Sequence, residues 1–224
     1  MSQLCLPAGC VEAIRFAIVD ECSGAPVAGA SNGYVVDCIR NVSWTTNVEE
    51  GDETILKTDC GSKCWRTRNC DEVLNYNLEF QLLNPDPELT ALLTGFPLIN
   101  DGVDNIGFYQ DEAVDCQPWL AVELFEQVPD EACEAGAQYR RIVFPKMRFQ
   151  PPGTEKEDPF RIVTWTGMSS ETDLSEYGDG PFNDSPFDFS TLPANTKGQY
   201  TELFDTLTSA PAGQCGFLTV PAQV

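Results

Sequence analysis

The chain has 224 residues, with 35 acidic against 13 basic side chains, no histidine and a formal net charge of -22. A surface this acidic cannot grip a nucleic-acid backbone by neutralising phosphates, and without histidine the common hydrolase and metal arrangements lose their usual base or ligand. Hydrophobic residues make up 42%, enough for a real core, so global disorder is excluded and one large β domain or two small ones are expected.

Met1 to Val19 contains Cys5, Pro7, Glu12 and Arg15 and never reaches an apolar run long enough for a leader or a membrane span. Folding where the chain is made is the expectation. Val11 to Val19 reads as a first strand, with Ile14, Phe16 and Ile18 on one face. Ser23-Gly24-Ala25-Pro26 and Gly29 to Gly33 read as turns. Tyr34 to Thr46 reads as a second strand. Its apolar face is Tyr34, Val36, Cys38, Val42 and Trp44, and Asp37, Asn41, Ser43 and Thr45 stand opposite. Cys38 is expected to point inward as a small hydrophobe.

A long excursion follows from Asn47 to Cys70. It is acidic first (Glu49, Glu50, Asp52, Glu53) and basic last (Lys63, Arg66, Arg68). Connections of this length inside a compact domain tend to be functional, and this one suits either a neighbour's complementary patch or a solvated hairpin.

From Asp71 to Leu83 the alternation is clean. Leu74, Tyr76, Leu78, Phe80 and Leu82 make a dry face, and Asn75, Asn77, Glu79 and Gln81 a wet one. Asn84-Pro85-Asp86-Pro87-Glu88 then opens a short helix. Asp86 is its N-cap, Pro87 takes the first helical position, Gly95 lies just past the end and Pro97 prevents resumption. Leu89, Leu92 and Leu93 are its packing face. Asp101 to Gly107 is an acidic turn. It lacks the oxygen ligand at its third position and the glycine at its sixth that a calcium loop requires, since Val103 and Ile106 sit there. Leu120, Val122 and Leu124 mark a further strand. Gln138 to Phe149 carries Arg140, Arg141, Lys146 and Arg148, expected to pair with carboxylates within or between subunits. Arg161 to Gly167 is a strand through Ile162, Val163 and Trp165. Ser169 to Gln199 is loop-like, pinned by Phe182, Phe187 and Phe189. Leu203, Phe204 and Leu207 have the spacing of a short helix.

Ten cysteines are present: Cys5, Cys10, Cys22, Cys38, Cys60, Cys64, Cys70, Cys116, Cys133 and Cys215. The group Cys60, Cys64 and Cys70 lacks the second close pair of a structural zinc site. A disulfide inside that loop, or free thiols, is the better reading, and no metal or cofactor is expected.

The alternating strand, "NPDPELTALLTG", "GFYQDE", a Trp-bearing strand and a late "YGDGPFND" together resemble the major tail tube proteins of long-tailed, siphovirus-type bacteriophages, above all those infecting actinobacteria. The resemblance runs from about Tyr34 to Asp184. It implies a mainly β fold: a tail-tube-type β-sandwich or half-barrel with one flanking helix and long loop extensions, a single domain over 1–224 with a loop-rich region at 169–224. It further implies a non-enzymatic virion protein, assembled in the host bacterial cytoplasm, whose copies close into rings, six to a ring, that stack into the tail tube for DNA ejection. Implied partners are other copies of the chain, a tape measure protein, a tail terminator and baseplate or tail-tip proteins, with no membrane. Phage DNA would pass without sequence-specific binding along a lumen lined by Asp37, Asn41, Ser43, Thr45, Asn75, Asn77, Glu79 and Gln81. The 47–70 loop, through Glu49, Glu50, Asp52, Glu53, Lys63, Arg66 and Arg68, would lock subunits and rings. From Asn69 to Tyr139 there are fifteen acidic residues and no Lys or Arg. Such a wall repels DNA and suits a conduit, although high negative charge also serves plain solubility.

Two other classes stay open. Cysteine abundance would suit a secreted, disulfide-stapled β-sandwich that binds protein or glycan. Within a phage particle, another tail or head-completion component is the nearest alternative. Acid pairs such as Asp101/Asp104 or Glu123/Glu126 would suit a carboxylate enzyme, but carboxylates this abundant form such pairs by number alone.

Overall fold

The structure is a computed structural model and describes residues 10–57, 63–110, 117–128, 139–157, 160–205, 211 and 216–222. Its strands are β1 (Val11–Ile18), β2 (Gly29–Val36), β3 (Ile39–Glu49), β4 (Glu53–Lys57), β5 (Lys63–Arg68), β6 (Glu72–Leu83), β7 (Leu98–Asn100), β8 (Asn105–Phe108), β9 (Leu120–Gln127), β10 (Tyr139–Phe149), β11 (Gly153–Glu157), β12 (Phe160–Ser169), β13 (Thr172–Asp173), β14 (Lys197–Gly198), β15 (Thr201–Asp205) and β16 (Gly216–Val220). The one α-helix among the described residues, α1, spans Pro87–Thr94 and lies between β6 and β7.

Ten strands form one antiparallel sheet in the order β16-β2-β1-β9-β10-β12-β6-β3, with β15 beside β10 and β11 beside β12. The sheet doubles back at β10. Tyr139 to Phe144 and Met147 of that strand pair with β9, and Met147 to Phe149 pair with β12. The register slips between Phe144 and Met147, where Pro145 has no N–H to give to a ladder. A bulge bends a strand and sharpens its twist. One layer is thus β16-β2-β1-β9-β10 with β15, and the other is β12-β6-β3 with β11.

The two layers close on one core. Ile14, Phe16, Tyr34, Val36 and Val122 of the first meet Leu78, Phe80, Leu82, Val163 and Trp165 of the second. Phe16, Phe80 and Phe149 form a ring triangle with centroids 5.5–6.0 Å apart, tilted or edge-on as aromatic quadrupoles prefer. Helix α1 buries Leu89, Leu92 and Leu93 in the same core. Gly95 ends it in the left-handed region at φ 75°, donating its N–H to the Ala91 carbonyl. Asp86 occupies the N-cap position, but its carboxylate accepts from the Tyr34 hydroxyl at 3.0 Å instead of capping the helix.

Several expectations need correction. The expected strand from Tyr34 to Thr46 is two strands, broken at Asp37 and Cys38. Both sit in the exposed turn, so Cys38 is not a core residue and Asp37 does not share the β3 face. Gly29 to Gly33 is strand, not turn: it opens β2 and pairs with β16 and β1. Leu203 and Phe204 lie on β15, paired with Arg141 and Arg140 of β10, rather than on a helix; Leu207 lies outside the described residues. The 169–224 region is less loop-like than expected, since it supplies β15 and β16 to the main sheet.

Candidate functional site

The wet face expected on β3 and β6 exists as one continuous surface. Their register sets Asn41 opposite Gln81, Ser43 opposite Glu79, Thr45 opposite Asn77 and Asn47 opposite Asn75. Asn47 donates to the Asn75 side-chain oxygen at 2.5 Å. Strand β12 widens the rows, placing Thr164 beside Gln81, Thr166 beside Glu79 and Met168 beside Asn77. The result is a polar face with Glu79 its single carboxylate across those three rows. Asn41, Ser43, Thr45 and Glu79 are exposed or nearly so, and Asn75, Asn77 and Gln81 half-buried. Thr164, Thr166 and Met168 went unread in the sequence, although the alternation of Val163 and Trp165 with Thr164 and Thr166 carried the signal.

The edges of this layer matter as much as its face. Strand β3 pairs only with β6, and β11 only with β12, among the described residues. The four strands β3-β6-β12-β11 therefore end on both sides in strands with one partner each.

The 47–70 excursion is a ribbon. Glu49 ends β3, Glu50 and Asp52 lie in the connection, and Glu53 opens β4. Lys63, Arg66 and Arg68 lie on β5, which pairs with β4. Part of the charge contrast is spent within the ribbon: Arg66 meets Glu53 at 2.5 Å and Arg68 meets Asp71 at 2.8 Å. Asp71 also accepts from the Gly51 N–H, the main reason its carboxyl titrates below the usual range. Cys60 lies outside the described residues, whereas Cys70 is an exposed free thiol, as are Cys10 and Cys22, and Cys38 is exposed.

A second cluster was not foreseen. On the back of the first layer, Arg15 and Glu123 are direct cross-strand neighbours, and Arg15 donates to the Glu123 carboxylate at 2.6 and 2.8 Å. Arg15 also clasps both oxygens of Asp184 at 2.7 and 2.8 Å. Arg141, fully buried, reaches Asp184 at 3.0 Å and Asp205 at 2.6 Å. Phe125 and Phe182 flank the Arg15 guanidinium at 5.0 and 4.1 Å. Burial opposes the Arg15 charge, yet Glu123 and Asp184 outweigh it and hold its pKa above the ordinary value. Burial pushes the Asp184 carboxyl up, but Arg15 and Arg141 prevail and keep it below the usual carboxylate range. Tyr177 is pushed well up by burial and by Glu123.

Asp184 belongs to the "YGDGPFND" segment. The two arginines thus fasten that segment over the back of the sheet, where Phe189 packs on Tyr177. Phe182 and Phe189 are the pins expected of this region; Phe187 touches Phe189 but is exposed. The basic group on β10 pairs within the subunit. Arg140 binds Glu126, Arg141 is as above, and Arg148 lies 3.6 Å from Glu21. Lys146 donates to the Glu21 carbonyl. The sequence signal for the cluster was an arginine and a glutamate at wet-face positions of otherwise apolar strands, but their pairing depends on strand order.

Comparison with protein-family models and with curated proteins finds no match. No helix among the described residues is long and apolar enough to cross a membrane.

Proposed function

We propose that this chain is the subunit of a phage-type tail tube, a structural virion protein whose copies close into rings and stack into a conduit for DNA. The observation that carries the reading is the four-stranded layer β3-β6-β12-β11, joined to β10 only through the Gly167–Ser169 end of β12, polar on its outer face and ending in strands, β3 and β11, that have one partner each among the described residues. Open margins are an aggregation hazard unless something pairs with them. The two margins differ, so pairing β3 of one copy with β11 of the next is heterologous, and such contacts close into a ring when the rotation permits. The barrel so formed would turn the row of Asn41, Ser43, Thr45, Asn75, Asn77, Glu79 and Gln81 toward its bore. Amides and hydroxyls hold water, and the few charges there are negative, so a polyanion would slide past without a grip. Six copies to a ring, a tape measure protein inside and terminator and tip proteins at the ends follow from the sequence resemblance.

Negative-stain microscopy of the purified chain, dilute and concentrated, tests the reading. Rings or stacked tubes are expected. A monomer that persists at high concentration overturns it.

A further inference from the structure

Strand β10 exchanges partners at Met147, which faces Leu120 of β9 on one side and Ser169 of β12 on the other. At this fork lies a cleft of about 310 Å³, at the small end of the range in which proteins hold small ligands. Trp119, Arg148 and Met168 line it, together with the carboxamides of Asn77, Gln117 and Gln150. Arg148 and Met168 are direct cross-strand neighbours, and Met168 is 50% exposed.

The walls of the cleft hold donors that lack acceptors. The Arg148 guanidinium lies 4.1 Å from the centroid of the Trp119 ring, and Lys146 Nζ lies 4.9 Å from the same ring. Among the described residues neither Arg148 Nε nor Trp119 Nε1 has a hydrogen-bond partner, although both are closed off from solvent. Buried donors are rarely left so, and two at one cleft mark a place where a further group belongs.

Arg148 also differs from the other paired arginines. Arg15, Arg66, Arg68, Arg140 and Arg141 each have a carboxylate oxygen within 2.8 Å. The ion-pair partner of Arg148 among the described residues, Glu21, is 3.6 Å away and 75% exposed, a contact of little strength. The Arg148 side chain itself is 28% exposed, so its fork is within reach of a ligand.

The donor set selects the ligand. Lys146 is committed to the Glu21 carbonyl at 2.5 Å, which leaves one guanidinium in the cleft lining. A single positive charge among carboxamides suits a monoanion, and a planar carboxylate matches the two prongs of a guanidinium. A phosphodiester strand fits poorly, because Glu79 stands in the next row and the chain carries a net charge of -22.

We propose that the cleft at the β9–β10–β12 fork binds a carboxylate carried on a small apolar group, its oxygens on Arg148 and its apolar part against Met168. The carboxamides of Asn77, Gln117 and Gln150 supply further donors. The site lies within one copy and does not depend on ring closure; in a tube it would open beside Asn77 of the bore row.

The test is fluorine NMR of 4-fluorobenzoate, and of its neutral amide 4-fluorobenzamide, with the full-length protein. Saturable broadening is expected for the acid and at least roughly tenfold weaker binding for the amide. Acetylglycyl-4-fluorophenylalanine, as free acid and as amide, distinguishes a chain terminus from a free small acid. Binding of either acid over its amide supports the site, and the tighter acid names the source. Met168→Glu sets a tethered carboxylate across from Arg148 and should abolish binding, whereas Met168→Gln should bind as wild type does. Both change an exposed position, so unchanged thermal unfolding is expected. Arg148→Lys keeps the charge but loses the fork and should weaken binding roughly tenfold. Acids that bind no better than their amides, or binding that survives Met168→Glu, overturn the site. A loss in Met168→Gln equal to that in Met168→Glu also overturns it, since the thioether and not the guanidinium would then hold the probe.

Discussion

Glu123→Gln is the sharpest probe of the cluster behind the first layer. Glu123 and Arg15 are almost fully buried, and the carboxylate takes two charge-assisted hydrogen bonds from that guanidinium. The amide keeps the shape but removes the charge and turns one acceptor into a donor facing an arginine. Breaking a buried pair by removing one partner costs about 3–5 kcal/mol, and the lower end applies here because Asp184 still faces Arg15. For a chain of this size that is a fall in Tm of roughly 6–12 °C, or roughly 1–2 M in the urea midpoint. Arg15→Met combined with Glu123→Leu replaces the pair by apolar volume and should recover part of the loss, since a buried pair exchanged for packed hydrophobes is often neutral but Asp184 loses its two bonds from Arg15 and keeps only those from Arg141. Urea unfolding followed by tryptophan fluorescence measures both. A loss below about 1 kcal/mol for Glu123→Gln, with no recovery in the double variant, would show that the pair is solvated and that the cluster does not fasten the 177–189 segment.

Acid should loosen the same segment. The folded Asp184 carboxyl titrates below its unfolded value of about 4, so its contribution is whole above that value and disappears as pH falls through the lower folded one; limited proteolysis between Gly178 and Asp188 should accelerate only below about pH 4, and acceleration already at about pH 6 would contradict this. Gly167→Val would set a Cβ 2.5 Å from the buried Phe149 ring and should cost about 1–3 kcal/mol by overpacking, read as a lowered Tm. Leu93→Ala, at a fully buried helix position, should cost about 2–5 kcal/mol; a smaller loss would show that α1 is not anchored in the core. Asn75→Lys with Asn77→Lys should leave tubes intact in negative stain and hinder genome delivery, and unchanged infectivity would remove those two positions from the bore.

Period-two and capping patterns fixed the local elements before any tertiary contact was known. The alternation from Tyr76 to Leu82, the Pro87 start and Gly95 stop of α1, and the buried trio Leu89, Leu92 and Leu93 follow from how a strand alternates faces and how a helix must end; Leu74, expected on the dry face, is exposed because the register slips beside it, where Asn75 faces Asn47 and Val73 faces Val48. The same rules could not see that Asp37 and Cys38 form a turn, because alternation continues smoothly through a tight reversal. They also turned Leu203 and Phe204 into a helix, when β10 had an unfilled edge and hydrogen bonds to offer. What lies across from what was settled only by strand order. Arg15 meets Glu123 because β1 lies against β9, although 108 positions separate them, and Asp184 reaches both arginines because its segment crosses the back of the sheet. Local sequence carries the preferences of a few neighbouring residues. The partners of a buried charge, and the margins a sheet leaves open, are properties of the whole chain's path.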